Sequence, residues 1–144
     1  MIGVLLVTHG QFCESMKEST EMVLGVQKNF YSLPLNPEDD IVCLQSRLLN
    51  KIQEMDQGEG VIVLVDLFGG SPYNAAFETV IGQDRMDVIT GLSLPMLIDV
   101  VGIRTMEEDI KAGEVYDKLS GDYVKSCKKL LGNTNEDEME DDEL

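Results

Sequence analysis

The chain contains a single histidine, His9, so any imidazole chemistry happens there. It follows the apolar run Ile2-Gly3-Val4-Leu5-Leu6-Val7, with Thr8 between, and precedes Gly10. Such a run reads as a buried strand delivering the ring to the edge of a sheet, where a turn can leave it partly exposed. Imidazole is well suited to carry a proton or a labile group near neutral pH. A solitary histidine also serves as a hydrogen-bonded structural residue. Its place at the carboxyl end of a first strand adds weight to a chemical role, because open α/β sheets bind ligands outside those ends.

Two further segments supply partners. The run Val61-Ile62-Val63-Leu64-Val65 ends directly in Asp66. If strands one and three are neighbours, Asp66 faces His9 across the crevice between them. A carboxylate there can accept from one ring nitrogen, fix the tautomer and leave the other nitrogen as nucleophile. Capping a helix or bracing a loop is its alternative use. Gly69-Gly70-Ser71-Pro72 then feeds a helix, with Ser71 expected at the N-cap and Pro72 at the first helical position. Glycines admit an anion to the backbone, and the first helical N–H groups are unsatisfied, so the segment is a competent phosphate cradle. A plain capped turn explains the same four residues. No Gly-Lys-Ser/Thr and no GxGxxG accompanies them, which excludes the common nucleotide fingerprints. Beside His9 and Asp66, the cradle points to a histidine that carries a phosphoryl group.

Alternating elements must position these residues. Strands are expected at 1–7, 29–35, 61–65 and 86–90, the last leading into Gly91-Leu92-Ser93 at a third strand end. Helices are expected at 11–24, with Phe12, Met16, Met22 and Val23 as its apolar residues, at 41–55, with Ile41, Leu44, Leu48 and Ile52 on one face, at 72–81 and at 95–101. A further helix is expected over 105–119, broken by Gly113, and 122–129 reads equally as helix or edge strand. Strand and helix alternating at this spacing give an α/β fold with a parallel sheet and helices on both faces.

Composition narrows the function. At 144 residues and 43% hydrophobic, the chain is one globular domain. No apolar run approaches the roughly 20 residues that cross a bilayer, and no leader segment is recognisable, so no membrane insertion is expected. Seven acids and no bases lie in 133–144, leaving a formal −9 of the total −16 for the rest of the chain. That balance argues against nucleic acid and anionic membranes and suits either solubility or a basic protein partner. The acidic segment 132–144 is expected to be a disordered tail behind a domain of 1–131. Cys13, Cys43 and Cys127 are scattered and form neither a metal motif nor a disulfide framework, consistent with reduced thiols in the cytoplasm.

Three segments in order carry a family resemblance: Val7-Thr8-His9-Gly10, then Val65-Asp66-Leu67-Phe68-Gly69-Gly70-Ser71-Pro72-Tyr73-Asn74-Ala75-Ala76, then Gly91-Leu92-Ser93-Leu94-Pro95-Met96-Leu97. Together they closely resemble the mannose-type IIA component of the bacterial sugar phosphotransferase system, over about residues 1–129. Met22-Val23-Leu24-Gly25 also resembles that family's end of the first helix. The resemblance implies that His9 takes a phosphoryl group from the phosphocarrier HPr and passes it to a IIB component, with membrane IIC and IID components downstream. Asp66 would orient the ring, and Ser71 with the amides of Leu67, Phe68, Gly69, Gly70 and Ser71 would hold the phosphoryl oxygens. It implies a doubly wound sheet of four parallel strands plus an antiparallel edge strand, here 122–129, exchanged within a homodimer. No cofactor and no metal is implied. Cys13 and Ser15 depart from the family's frequent alanine and glycine, and oxidation of Cys13 near the site would then inhibit transfer. The chain stops where many members continue into a IIB domain, which implies a free-standing IIA.

Two rivals stay open at this level. Ser71, His9 and Asp66 are the residue types of a hydrolase triad, although Ser71 lies in no GxSxG elbow. Related domains also serve in regulators and as a phosphotransfer subunit of a dihydroxyacetone kinase system.

Overall fold

The structure, a computed structural model, describes residues 1–132. The expected acidic tail lies almost wholly outside the described residues. In chain order the elements are β1 (Gly3–His9), α1 (Phe12–Leu24), β2 (Phe30–Leu35), α2 (Ile41–Met55), β3 (Val61–Val65), α3 (Ser71–Val80), β4 (Asp87–Thr90) and α4 (Leu94–Met106). All strand pairs are parallel, in the spatial order β2-β1-β3-β4.

Helices cover both faces, and the period-two alternation of the strands says which residues meet which layer. Val4 and Leu6 of β1, with Ile62 and Leu64 of β3, pack with Met96, Leu97, Val100 and Val101 of α4 and Cys13 of α1. Leu5 and Val7, with Val61, Val63 and Val65, pack against Leu44, Leu48 and Ile52 of α2 and Ala75, Ala76 and Val80 of α3. β3 is buried at every position, as its unbroken apolar run requires of a central strand covered twice. Helix α2 begins where expected because Asp40 caps its start: the carboxylate accepts from the Cys43 amide at 2.7 Å.

Two expectations are corrected. In α1 the buried residues are Cys13 and Thr20, with Met16 half-buried, while Phe12, Met22 and Val23 face outward. Thr20 can be buried because its hydroxyl donates to the Met16 carbonyl at 2.8 Å. Helix α4 runs on to Met106, and no helix spans 105–119: two 3₁₀ turns, Ala112–Glu114 and Tyr116–Lys118, stand there instead. The Ala112 amide donates to the Glu59 carbonyl at 3.0 Å rather than to a helical partner, and Gly113 lies so close to the Asp84 carbonyl that a Cβ would come within 2.8 Å. The segment 122–129, open in sequence between helix and edge strand, is irregular to 126 and helical over 127–132 in the single chain. It is held to α4, through Tyr123 Oη donating to Asp99 at 2.6 Å and the Ser120 amide donating to the same oxygen at 3.0 Å.

The strand order has one functional consequence. From β1 the chain moves outward to β2, then returns across β1 to β3 and β4. The direction of winding reverses between β1 and β3, which opens a crevice at their carboxyl ends. His9 ends β1 and Asp66 follows β3, so both stand at its mouth.

Candidate functional site

His9 and Asp66 are joined twice. The Asp66 Oδ2 atom accepts from the His9 backbone N–H at 3.0 Å and lies 2.9 Å from ring Nδ1. The other carboxylate oxygen accepts from the Leu67 amide at 3.0 Å. Partial burial by itself raises the Asp66 carboxyl, but the bonds from His9 and Leu67 prevail and hold it below the usual carboxylate range. Asp66 is therefore ionised at neutral pH and only accepts, so Nδ1 carries the ring proton and Nε2 presents a lone pair. The imidazole side chain is 47% exposed against 14% for the carboxylate, which leaves the ring reachable and its orienting partner sheltered.

The loop after Asp66 approaches the ring without a side chain in the way. A Cβ built on Gly70 would lie 3.0 Å from His9 Cε1 and 3.5 Å from Nε2. Gly69 adopts a left-handed φ of 83°, which turns the loop into α3. Gly70, rather than Ser71, occupies the N-cap; Ser71 and Pro72 are the first two helical residues, and no side chain caps this end. The shift by one residue leaves Ser71 exposed, and among the described residues its hydroxyl caps nothing. The Leu67 amide is already taken by Asp66, whereas the Gly69–Ser71 stretch opens a helix whose first N–H groups lack intrahelical partners.

At the third strand end, Ser93 caps α4 by accepting from the Met96 amide at 3.3 Å, and the Leu92 amide donates to the Val65 carbonyl at 3.0 Å. Both brace the crevice wall. Among the described residues no hydrogen bond joins Ser71 to His9, and no group of three or more His, Cys, Asp and Glu residues could hold a metal. Cys13 lies beneath the site with its side chain fully buried, and burial pushes its thiol up, so the expected sensitivity to oxidation is not supported. No helix among the described residues is long and apolar enough to cross a membrane.

Sequence reasoning missed Gly70 as the residue against which the ring packs. The signal was present in the paired glycines, but which of them meets the ring depends on how α3 docks.

The rim is apolar: Leu67 is 59% exposed, Phe68 79% and Phe12 45%. The larger clefts lie elsewhere. One of about 420 Å³ runs between the outer edge of β4 and the segment carrying Tyr116, Leu119 and Tyr123.

Known proteins resemble the chain in sequence and in fold. The family model described as PTS system fructose IIA component matches residues 3–120. The fructose-specific EIIA component of Bacillus subtilis is 30% identical, over 96% of this chain and all of that one. The sorbose-specific EIIA component of Lacticaseibacillus casei is 33% identical over 94% and 99%. A match to the mannose-specific EIIAB component of Escherichia coli K12 covers 72% of this chain and 32% of that one, at 33% identity. Among solved structures, the PTS IIA protein associated with a fucose utilisation operon of Streptococcus pneumoniae superposes with a TM-score of 0.76, at 30% identity, over 90% of this chain and 95% of that one. The chain therefore belongs to the mannose-type IIA family of the sugar phosphotransferase system.

Proposed function

We propose that the protein is a phosphocarrier of sugar uptake: His9 Nε2 accepts a phosphoryl group from phosphorylated HPr and passes it to a IIB component. The observation that carries this reading is the paired contact of Asp66 with the backbone and Nδ1 of His9, which leaves Nε2 as the exposed nucleophile. In the first transfer the donor's N–P bond breaks as the Nε2–P bond forms, and the second repeats this toward IIB. The imidazole gains positive character as it is phosphorylated, and the Asp66 carboxylate stabilises it. The amides of Phe68, Gly69, Gly70 and Ser71, with the Ser71 hydroxyl, hold the phosphoryl oxygens; Leu67 joins them if its amide leaves Asp66. Neither metal nor nucleotide enters, because a phosphoramidate already has high transfer potential and the two proteins supply positioning.

A ring exposed on an open, apolar-rimmed surface suits exchange with another protein better than enclosure of a small substrate. The same feature and the missing Ser71–His9 bond weigh against the hydrolase reading. Homodimer formation is supported by the outer edge of β4, which no strand among the described residues covers, beside the cleft described above. A strand from residues 122–129 of a second copy would cover it. The setting is the cytoplasm, where HPr operates. The sugar is recognised by other components of the system.

The test is incubation with phosphoenolpyruvate, enzyme I and HPr, followed by mapping of the label. An acid-labile phosphoryl group on His9, absent in His9→Ala, is expected. A stable ester on Ser71 would overturn the reading.

A further inference from the structure

Thr8 is a polar side chain with no exposed surface, one residue from the proposed nucleophile. Its hydroxyl is committed in both directions. Oγ1 accepts from the Cys13 amide at 2.8 Å and donates to the Gly10 carbonyl at 3.3 Å. Helix α1 has no other side-chain cap, since Gln11 at its N-cap makes none. The hydroxyl thus replaces the missing cap from the preceding strand. In doing so it closes a ring of bonds around His9, Gly10, Gln11 and Phe12. Gly10, at φ 59°, turns the chain inside that ring. The outside of the turn is fixed by the Gly10 amide donating to the Leu35 carbonyl at 2.8 Å and by the His9 amide donating to Asp66. Every main-chain torsion that aims the imidazole lies between these anchors. Asp66 controls the ring from the end of β3; from within, the Glu14 and Ser15 amides hold only the Gln11 carbonyl and the Cys13 thiol reaches the Gly10 carbonyl at 3.8 Å, whereas the Thr8 hydroxyl spans the whole turn from β1 to α1.

We propose that Thr8 is a positioning residue for His9, its hydroxyl holding the turn so that Nε2 faces the transfer site; this rests on the reading of His9 as the phosphoryl carrier. A side chain that only stabilised α1 would alter the melting temperature and leave the imidazole where it was. A clamp on the turn alters the ring itself.

The experiment compares full-length Thr8→Val, Thr8→Ser and the unaltered chain. Single-turnover transfer from phosphorylated HPr and the NMR signals of the imidazole nitrogens are measured, the latter simplified by there being one histidine. Thr8→Val is expected to transfer roughly tenfold or more slowly at saturating HPr, with the half-saturating concentration unchanged. Its imidazole signals should move from the Nδ1–H form toward a mixture of tautomers. Thr8→Ser, which keeps the hydroxyl, should stay within about threefold of the unaltered rate, a loss of under 1 kcal/mol. Thr8→Ala replaces Thr8→Val if circular dichroism shows the latter unfolded. A folded variant without the hydroxyl that keeps both rate and tautomer overturns the proposal, as does a serine variant as slow as the valine one. Absence of label on His9 in the unaltered chain would sink the carrier reading instead, while the tautomer measurement still decides the clamp.

Discussion

One oxygen of Asp66 binds His9 twice, at the backbone N–H and at ring Nδ1, 3.0 and 2.9 Å away. The strand end and the imidazole are thereby referred to the same point on β3, and rotation of the ring away from it breaks a charge-assisted bond. Asp66→Asn keeps the shape but removes the charge and the certainty of which ring nitrogen is protonated. Transfer to His9 should slow by roughly 10- to 100-fold, the range for losing one hydrogen bond to a charged group. Rapid-quench labelling with the fold checked by circular dichroism decides this; an unchanged rate removes the role assigned to Asp66.

Stability in acid follows from the same contact. The folded carboxyl of Asp66 lies below its unfolded value, so the unfolded chain binds its proton first as pH falls. The contribution of Asp66 is complete above about pH 4 and is lost as pH drops through the lower, folded-state value. Denaturant titrations across this window should show a shallower loss of stability for Asp66→Asn than for the unaltered chain. Parallel curves would mean that the contact contributes nothing to folding.

Gly70→Ala places a methyl 3.0 Å from His9 Cε1, tighter than ordinary contact, in a backbone conformation that alanine adopts freely. The ring must tilt or the loop must shift. Phosphorylation should fall at least tenfold, given how steeply transfer depends on placement, while the melting temperature changes little. A variant labelled at the native rate would show that the loop yields without consequence.

Thiol chemistry separates the three cysteines. Cys13 is buried, and burial raises its thiol pKa; Cys43 and Cys127 are exposed, although Asp40 beside Cys43 also raises that thiol. Under native conditions an aromatic disulfide reagent should label Cys43 and Cys127 promptly and reach Cys13 only on unfolding. Mild oxidation should therefore leave transfer to His9 intact. Loss of activity that Cys13→Ala prevents would contradict this.

Arg104 ties the far end of the sheet. The residue is 2% exposed, and its guanidinium donates from Nη1 to the carbonyls of Ile2 and Asn29 at 2.9 and 3.1 Å, and from Nη2 to that of Lys28 at 2.6 Å. Burial pushes its pKa down to about 10, still well above neutrality. Arg104→Ala removes the donors from all three carbonyls and should cost about 2–5 kcal/mol in denaturant unfolding. A loss below about 1 kcal/mol would mean that water replaces the guanidinium.

Local pattern alone determined much of this protein. Period-two and period-3.6 spacing, with the breaks at prolines and glycines, located all four strands and the first four helices to within a few residues, apart from the last turns of α4. The apolar run before His9 and the one before Asp66 placed both at strand ends, because a strand covered on two faces must be apolar throughout and its first polar residue marks where cover stops. What pattern could not determine depends on contacts between distant segments. The order β2-β1-β3-β4 brings His9 within hydrogen-bond reach of a carboxylate 57 residues away. Docking of α3 decides that Gly70 and not Gly69 meets the ring. Arg104 interrupts an apolar face yet is buried, because main-chain carbonyls of Ile2, Lys28 and Asn29, far along the chain, accept its hydrogen bonds. Residues 105–119 look helical by composition, but the Ala112 amide is committed to the Glu59 carbonyl before β3 and Gly113 sits against the Asp84 carbonyl before β4. Hydrophobic periodicity reports what a segment must hide, and only the tertiary structure supplies the distant carbonyls that take the hydrogen bonds of a buried group such as the Arg104 guanidinium.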